Sequence, residues 1–370
     1  MKNFSSVSNA DSFSAEIESL RGLAALSVLL GHFYLVTILS QYLYFPSKVI
    51  ATLIAGFFNP QPAVLLFFTI SGLVLGRQLR KEPINNFFAF IAYLCRRIFR
   101  LIPLMVASII FAFILSYFKG NPVNLSSLMQ NLMLEDISLN PPVWSLKVEL
   151  YCSIFFPFLF WIFTKSNIAC NALLFIALCG ISYFWQAPIF IQFFVFFHAG
   201  LLIDYINTNS KKNIAWINPL SLMFFFLVFM LAPDFGIGPR NWGYGHWQSW
   251  VLPEILACSF IVFFIIHKSW LNHFLRLPFM RYLGKISFSI YLFHFPLLSF
   301  MLDKIKTSSV LQFIGFTVVY LVLVILISTA TYRWIELPTN KFGKILFSIL
   351  SGKNKRNTID HQSGSNLEFS

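Results

Sequence analysis

The chain has 370 residues; 57% are hydrophobic, 18% aromatic and only 11% charged, and the mean hydropathy is +0.72. Soluble domains carry about 25% charged residues, so this composition excludes a soluble globular protein and calls for a lipid bilayer as solvent. The net charge of +13 sits mostly in segments that flank apolar runs, where it reports topology before nucleic-acid binding. The five cysteines form no C-x-x-C pair, which leaves neither a disulfide framework nor a metal site to argue for.

Residues 1–20 are polar and are expected to be a cytoplasmic N-terminus, disordered or interfacial. The apolar run at 22–40 is long enough to span and lacks a small-residue cleavage site, so it reads as a membrane helix rather than a signal peptide. Further spans are expected at 62–79, 101–118, 148–164, 168–185, 188–206, 216–233, 250–267, 286–302 and 310–333. The result is an all-α integral membrane protein of about ten transmembrane helices. With the N-terminus placed in the cytoplasm, 21 of the 27 Lys and Arg fall on inner segments, as the positive-inside bias requires. Both termini are then cytoplasmic, the membrane domain covers 21–335, and 336–370 forms a largely disordered tail. The outer segment 234–249 is rich in Gly and Trp; an aromatic belt and a sugar-stacking surface both fit that composition.

In chain order, the first polar signals are Arg21 and His32. Ten residues separate them. At 1.5 Å per residue His32 lies ~16 Å along the helix from Arg21, about halfway across a ~30 Å hydrocarbon core. A titratable group there either serves function or bonds a neighbouring helix. Ser71 and Gly72 interrupt the second span and suit close helix packing. Arg96, Arg97 and Arg100 form the densest basic cluster, with Arg96 and Arg100 on one helical face. Guanidinium suits polyanionic phosphate; anchoring to acidic lipid is the other reading. In the stretch P-P-V-W-S-L-K-V-E-L-Y, Pro141 to Tyr151, Glu149 sits one or two turns inside a span and needs a partner, a midplane imidazole being one candidate. Tyr291 and His294 lie inside the ninth span, where His294 either lines a cavity or bonds across helices. Glu336 ends the last span beside the inner basic residues. His198 is intramembrane and reads as structural. No hydrolytic triad, phosphate loop or H-E-x-x-H pattern occurs.

These motifs, taken together, resemble those of the acyltransferase family 3 membrane proteins, bacterial acyl-CoA-dependent O-acyltransferases of surface glycans. The resemblance runs through L-R-G-L-A-A-L-S-V-L-L-G-H, F-F-T-I-S-G, R-R-I-F-R-L-I-P, W-S-L-K-V-E-L-Y, L-G-K-I-S-F-S-I-Y-L-F-H-F-P and I-E-L-P, in the family's order. It implies residence in the bacterial inner membrane. His32 is then the essential histidine acting as general base, with Glu149 orienting it. Arg21, Arg96, Arg97 and Arg100 are implied to hold the donor, acetyl-CoA or another acyl-CoA. Ser71, Trp144, Ser145, Tyr291, His294 and Glu336 occupy further motif positions. The implied partners are acyl-CoA, a glycan acceptor and the bilayer, without permanent cofactor, metal or nucleic acid. Direct transfer and an acyl-histidine relay are both open at this point. A transporter and a non-enzymatic component of a glycan assembly complex are the alternative classes.

Overall fold

The structure is a computed structural model, and it describes residues 4–39, 58–184, 189–209, 219–231, 251–266, 271–302 and 310–350. Among these residues every regular element is helical. In chain order they are α1 (Phe4–Leu39), α2 (Pro60–Lys81), α3 (Phe87–Phe118), α4 (Leu125–Leu132), a 3₁₀ turn (Pro141–Val143) and α5 (Trp144–Lys165). Then follow α6 (Ile168–Phe184), α7 (Ile189–Asn209), α8 (Pro219–Leu231), α9 (Val251–Ile266), α10 (Leu271–Leu275), α11 (Pro278–Lys285) and α12 (Ser287–Leu302). The chain continues through α13 (Val310–Thr331), a π turn (Tyr332–Glu336) and α14 (Leu337–Leu350).

Each expected apolar span coincides with one of these helices. Six helices among the described residues are long and apolar enough to cross a membrane by themselves. A seventh crossing results if α11 and α12, bent by 67° at Ile286, count as one broken span. The Gly- and Trp-rich loop at 234–249 and the tail beyond 350 lie outside the described residues.

Local sequence explains the helix starts. Asn59 accepts a hydrogen bond from the Gln61 amide ahead of Pro60 in the first turn of α2. Asn86 and Asn124 cap α3 and α4 by accepting from the amides of Ala89 and Ser127, at 2.8 and 2.7 Å. Each cap satisfies an amide that the helix ladder leaves open. On the far side of α4, hydrogen bonds hold the Asp136 carboxyl below the usual carboxylate range, first among them that from the Ser138 hydroxyl. This knot, with Lys147 donating to the Leu134 carbonyl at 2.8 Å, fixes the loop that leads into α5.

Glycine sets the helix crossings. A Cβ on Gly72 would lie 2.1 Å from the Phe197 carbonyl oxygen, and one on Gly200 would lie 2.4 Å from the Leu73 amide. Helices α2 and α7 therefore touch backbone to backbone, the kind of approach that small residues permit in lipid. Gly22 and Gly284 do the same for α1 and α11, with 2.7 Å from a Gly22 Cβ to the Gly284 amide. On α7, Asp204 is almost fully buried and binds Arg77 and Arg80 of α2 at 2.7 and 2.8 Å. A buried carboxylate needs such partners, because its desolvation is otherwise uncompensated.

Two expectations change. The helix that carries Arg21 does not begin there: α1 runs back to Phe4, with Glu16, Ile17, Ser19 and Leu20 all buried. Glu16 pairs with Arg276 at 2.6 Å, and the Ser19 hydroxyl donates to the Leu275 carbonyl at 2.6 Å. Glu16 and Ser19 are thus bonded inside the fold. At the other end, 337–350 is not part of a disordered tail. It forms α14, which packs on α3 through Gly343 against Phe99 and through the Phe99–Phe342 ring pair at 4.9 Å.

Candidate active site

Four helices converge on a polar chamber. Arg21 enters from α1, Ser71 from α2, Ser145 and Glu149 from α5, and Tyr291 from α12, with Phe67, Phe68 and Phe288 among its apolar walls. The chamber holds about 30 Å³, room for one or two waters and nothing larger. Ser71 Oγ donates to Glu149 Oε1 at 3.3 Å. The Tyr291 hydroxyl meets Ser145 Oγ at 2.7 Å and donates to the Pro142 carbonyl at 3.0 Å. Trp144 stands edge-on to Phe68, one of the wall residues.

Arg21 is the arginine that lines the chamber. Arg21 has Arg100, Glu149, Glu336 and Glu18 as its charged neighbours. Glu336 is buried, accepts from Ser289 Oγ at 3.0 Å, and has Arg21 and Arg100 as its cationic neighbours. Arg97 is 4% exposed; it donates from Nη2 to Gln78 Oε1 at 2.6 Å and lies over the Tyr93 ring, while its Nε is buried without a hydrogen-bond partner. Arg96 turns elsewhere, pairing with Glu82 at 2.8 Å and stacking on Phe347 of α14. The Arg100 side chain makes no hydrogen bond or ion pair with another described residue. The three arginines of the motif thus have three environments: Arg96 is clamped, Arg97 is buried and Arg100 is available.

The histidines meet each other. His32 Nδ1 of α1 lies 3.0 Å from His294 Nε2 of α12, and the ring centroids are 5.2 Å apart. His294 is fully buried, one turn beyond Tyr291 on α12, with ring centroids 6.0 Å apart. Among the described residues an imidazole, that of His294, meets the His32 ring nitrogen, while the Glu149 carboxylate is engaged by Ser71. This replaces the expected Glu149–His32 contact. His198 packs between the rings of Phe163 and Phe175, and both its nitrogens are buried without partners; it belongs to neither cluster.

Gln78, Tyr93 and Ser289 were not singled out from the sequence, yet they hold Arg97 and Glu336. Gln78 had a readable signal. It lies seven residues beyond Ser71, on the same stripe of α2.

An all-helical bundle with several bilayer-length apolar helices and a buried polar chamber defines a multi-pass membrane protein. A family described as an acyltransferase domain, acyltransferase family 3, matches residues 14–333, and the chain belongs to that family. Among proteins of known name it resembles proteins of Staphylococcus aureus, from strains COL, MRSA252 and N315, provisionally named O-acetyltransferases. Each is 30% identical over 134 residues, which make up 36% of this chain. The match spans about a fifth (21%) of the length of those relatives. No solved structure matches the chain.

Proposed function

We propose that the chain is a membrane O-acyltransferase. It moves an acyl group, acetyl first among the candidates, from cytoplasmic acyl-CoA to a hydroxyl of a cell-surface or exported glycan. The observation that carries this reading is the His32 imidazole within the bundle, on the same helix as the chamber arginine Arg21. A neutral imidazole is suited to accept a hydroxyl proton near pH 7. Ten spans in the bacterial inner membrane, with both termini in the cytoplasm, belong to the same proposal. They put the arginines on the donor side and His32 near the midplane.

Arg100, Arg97 and Arg21 would bind the phosphates of CoA, with Arg96 at the edge. The pantetheine arm would run inward beside α1, along the ~16 Å between Arg21 and His32. The chamber would have to widen to admit it. His32 would take the proton of the acceptor hydroxyl as its oxygen attacks the thioester carbonyl. The C–S bond then breaks, and the CoA thiolate takes the proton back from the imidazolium. Glu149 and Glu336 balance the arginine charge while the anionic donor is absent.

CoA release by purified protein with acyl-CoA and glycan acceptor tests the reading; glycan flux without CoA release would favour a transporter. The arginines are separable. Arg100→Ala is expected to raise the KM for acyl-CoA ~10-fold, the loss of one charge-assisted contact worth ~1.4 kcal/mol. Arg96→Ala is expected to raise it less, because Arg96 is already committed to Glu82. An unchanged KM in both variants would return the cluster to lipid anchoring.

A further inference from the structure

We propose that Gln78 is a positioning residue for donor binding: it aims the Arg97 guanidinium without neutralising it, and so leaves that charge for a phosphate of acyl-CoA. The inference rests on the acyl-CoA reading given above.

A guanidinium only donates, so the Gln78 atom that meets Arg97 Nη2 at 2.6 Å is its amide oxygen. That oxygen accepts as a carboxylate would, but it brings no negative charge. Elsewhere at this end of α2 and α3 the arginines meet carboxylates. Arg77 and Arg80 pair with Asp204, and Arg96 pairs with Glu82, at 2.7 to 2.8 Å. Arg97 is more deeply buried than any of these, at 4% exposed, yet it forms no ion pair with a described residue. Glu149 is among its charged neighbours but stays beyond ion-pair contact. A buried cation without a contacting counter-ion is costly, because nothing offsets its desolvation. A bound anion would offset it.

The aromatic contact of Arg97 is neutral too. Its guanidinium lies 5.8 Å from the centroid of the Tyr93 ring, one turn earlier on α3. The Tyr93 hydroxyl donates to the Ser153 carbonyl of α5 at 3.0 Å, which fixes that ring. An aromatic face attracts a cation without cancelling its charge. An amide oxygen of α2 and a ring anchored on α5 thus hold the guanidinium in one pose. Its Nε is buried and has no hydrogen-bond partner among the described residues. That N–H is a donor without an acceptor, and a phosphate oxygen is the kind of acceptor a guanidinium binds best.

The choice of glutamine over glutamate is what separates a bond for binding from a bond for structure. Gln78 is only partly buried, so a carboxylate in its place would be ionised beside Arg97. It would make the same hydrogen bond, strengthened by charge. The pair would then have no net charge, and an incoming phosphate would meet the carboxylate as well as the guanidinium. Like charges set against each other in this way oppose binding. A merely structural bond is kept or improved by the change, whereas a bond that serves anion binding is spoiled by it.

The test compares Gln78→Glu with Gln78→Met in the full-length protein in lipid nanodiscs, by the kinetics of CoA release. Gln78→Met releases the guanidinium and is expected to raise the acyl-CoA KM ~5–10-fold. Gln78→Glu keeps it aimed but pairs it, and is expected to raise KM ~10²-fold. In both, kcat should stay within about two-fold, because a contact kept from ground state to transition state acts on KM. Gln78→Met added to Arg97→Met should raise KM no further, since the two residues act as one unit. Wild-type KM in Gln78→Glu would make the bond merely structural and overturn the proposal. So would wild-type KM in Gln78→Met, an additive rise in the double variant, or a loss confined to kcat. If Gln78→Met folds poorly, by yield and size exclusion, Gln78→Glu, which keeps the hydrogen bond, decides alone. Failure of the acyl-CoA reading looks different: the wild-type protein in the same nanodiscs would bind no CoA, and the proposal would fall with that reading.

Discussion

His32→Ala is expected to lower acyl-CoA-dependent CoA release by ~10²–10⁴-fold, the range for loss of a positioned proton acceptor. The KM for acyl-CoA should stay within a few-fold, because the arginines lie on other helices or a full three turns away on α1. Truncation removes the ring that meets His294 and Phe295, so folding must be checked beside activity, by yield and by the profile on size exclusion. His32→Gln provides the chemical control. It keeps a polar side chain against His294 yet cannot accept a hydroxyl proton, and it should be as inactive as alanine. Wild-type turnover in either variant would remove His32 from the chemistry. The reaction would then need another base, and Glu149, in the chamber with Arg21, would be the next group to replace.

The second large effect is structural. Gly72→Leu is expected to prevent normal assembly of the bundle. A Cβ at this position would meet three backbone atoms of Phe197 at 2.1 to 2.7 Å, and backbone cannot move aside as a side-chain end can. Overpacking of this kind costs ~1–3 kcal/mol or more. Ser71, the neighbour of Gly72, would be displaced from Glu149 at the same time. The measurements are monodisperse yield in detergent and the thermal midpoint. Gly180→Ala and Gly315→Ala are matched controls on helices, since a Cβ at either meets nothing within 4 Å. They are expected to be neutral or slightly stabilising, because alanine favours helix over glycine by up to ~1 kcal/mol. If Gly72→Leu matched those controls, the α2–α7 crossing would not be the tight contact described.

Much of the helical layout is legible in the sequence because lipid leaves a chain few options: a long apolar run must satisfy its own backbone, and a helix does so. The polar ends are less legible. The stretch before Arg21 has the composition of a solvated tail, yet Glu16 is paired with Arg276, 260 residues away. Nothing local in either segment announces the partner. The same holds for α14, where Lys341 and Lys344 suggest a tail and Gly343 decides the packing.

The site divides in the same way. Spacing along one helix is readable, and it put Arg21 and His32 on α1 and Tyr291 and His294 on α12. Pairing across helices is not. His32 and His294 are 262 residues apart, and Glu149, the conspicuous carboxylate, was the natural partner to expect. Helical periodicity also grouped Arg96 with Arg100, whereas neighbouring charges separate them: Glu82 draws Arg96 outward, and Glu336 lies near Arg100.

The π turn at Tyr332–Glu336 has a consequence for how this end of the protein tolerates change. Such a turn holds one residue more than an α ladder requires. The wider turn takes up that residue within nearly the same angular sweep, so the helix beyond it keeps its phase. Deleting one residue there would restore the α ladder and leave the buried Gly343 and Phe347 of α14 facing α3. Inserting one residue more into α14 itself would have no such turn to take it up and would rotate everything beyond it by ~100°. The stretch between the Glu336–Ser289 contact and the packing of α14 therefore tolerates the loss of a residue better than a gain.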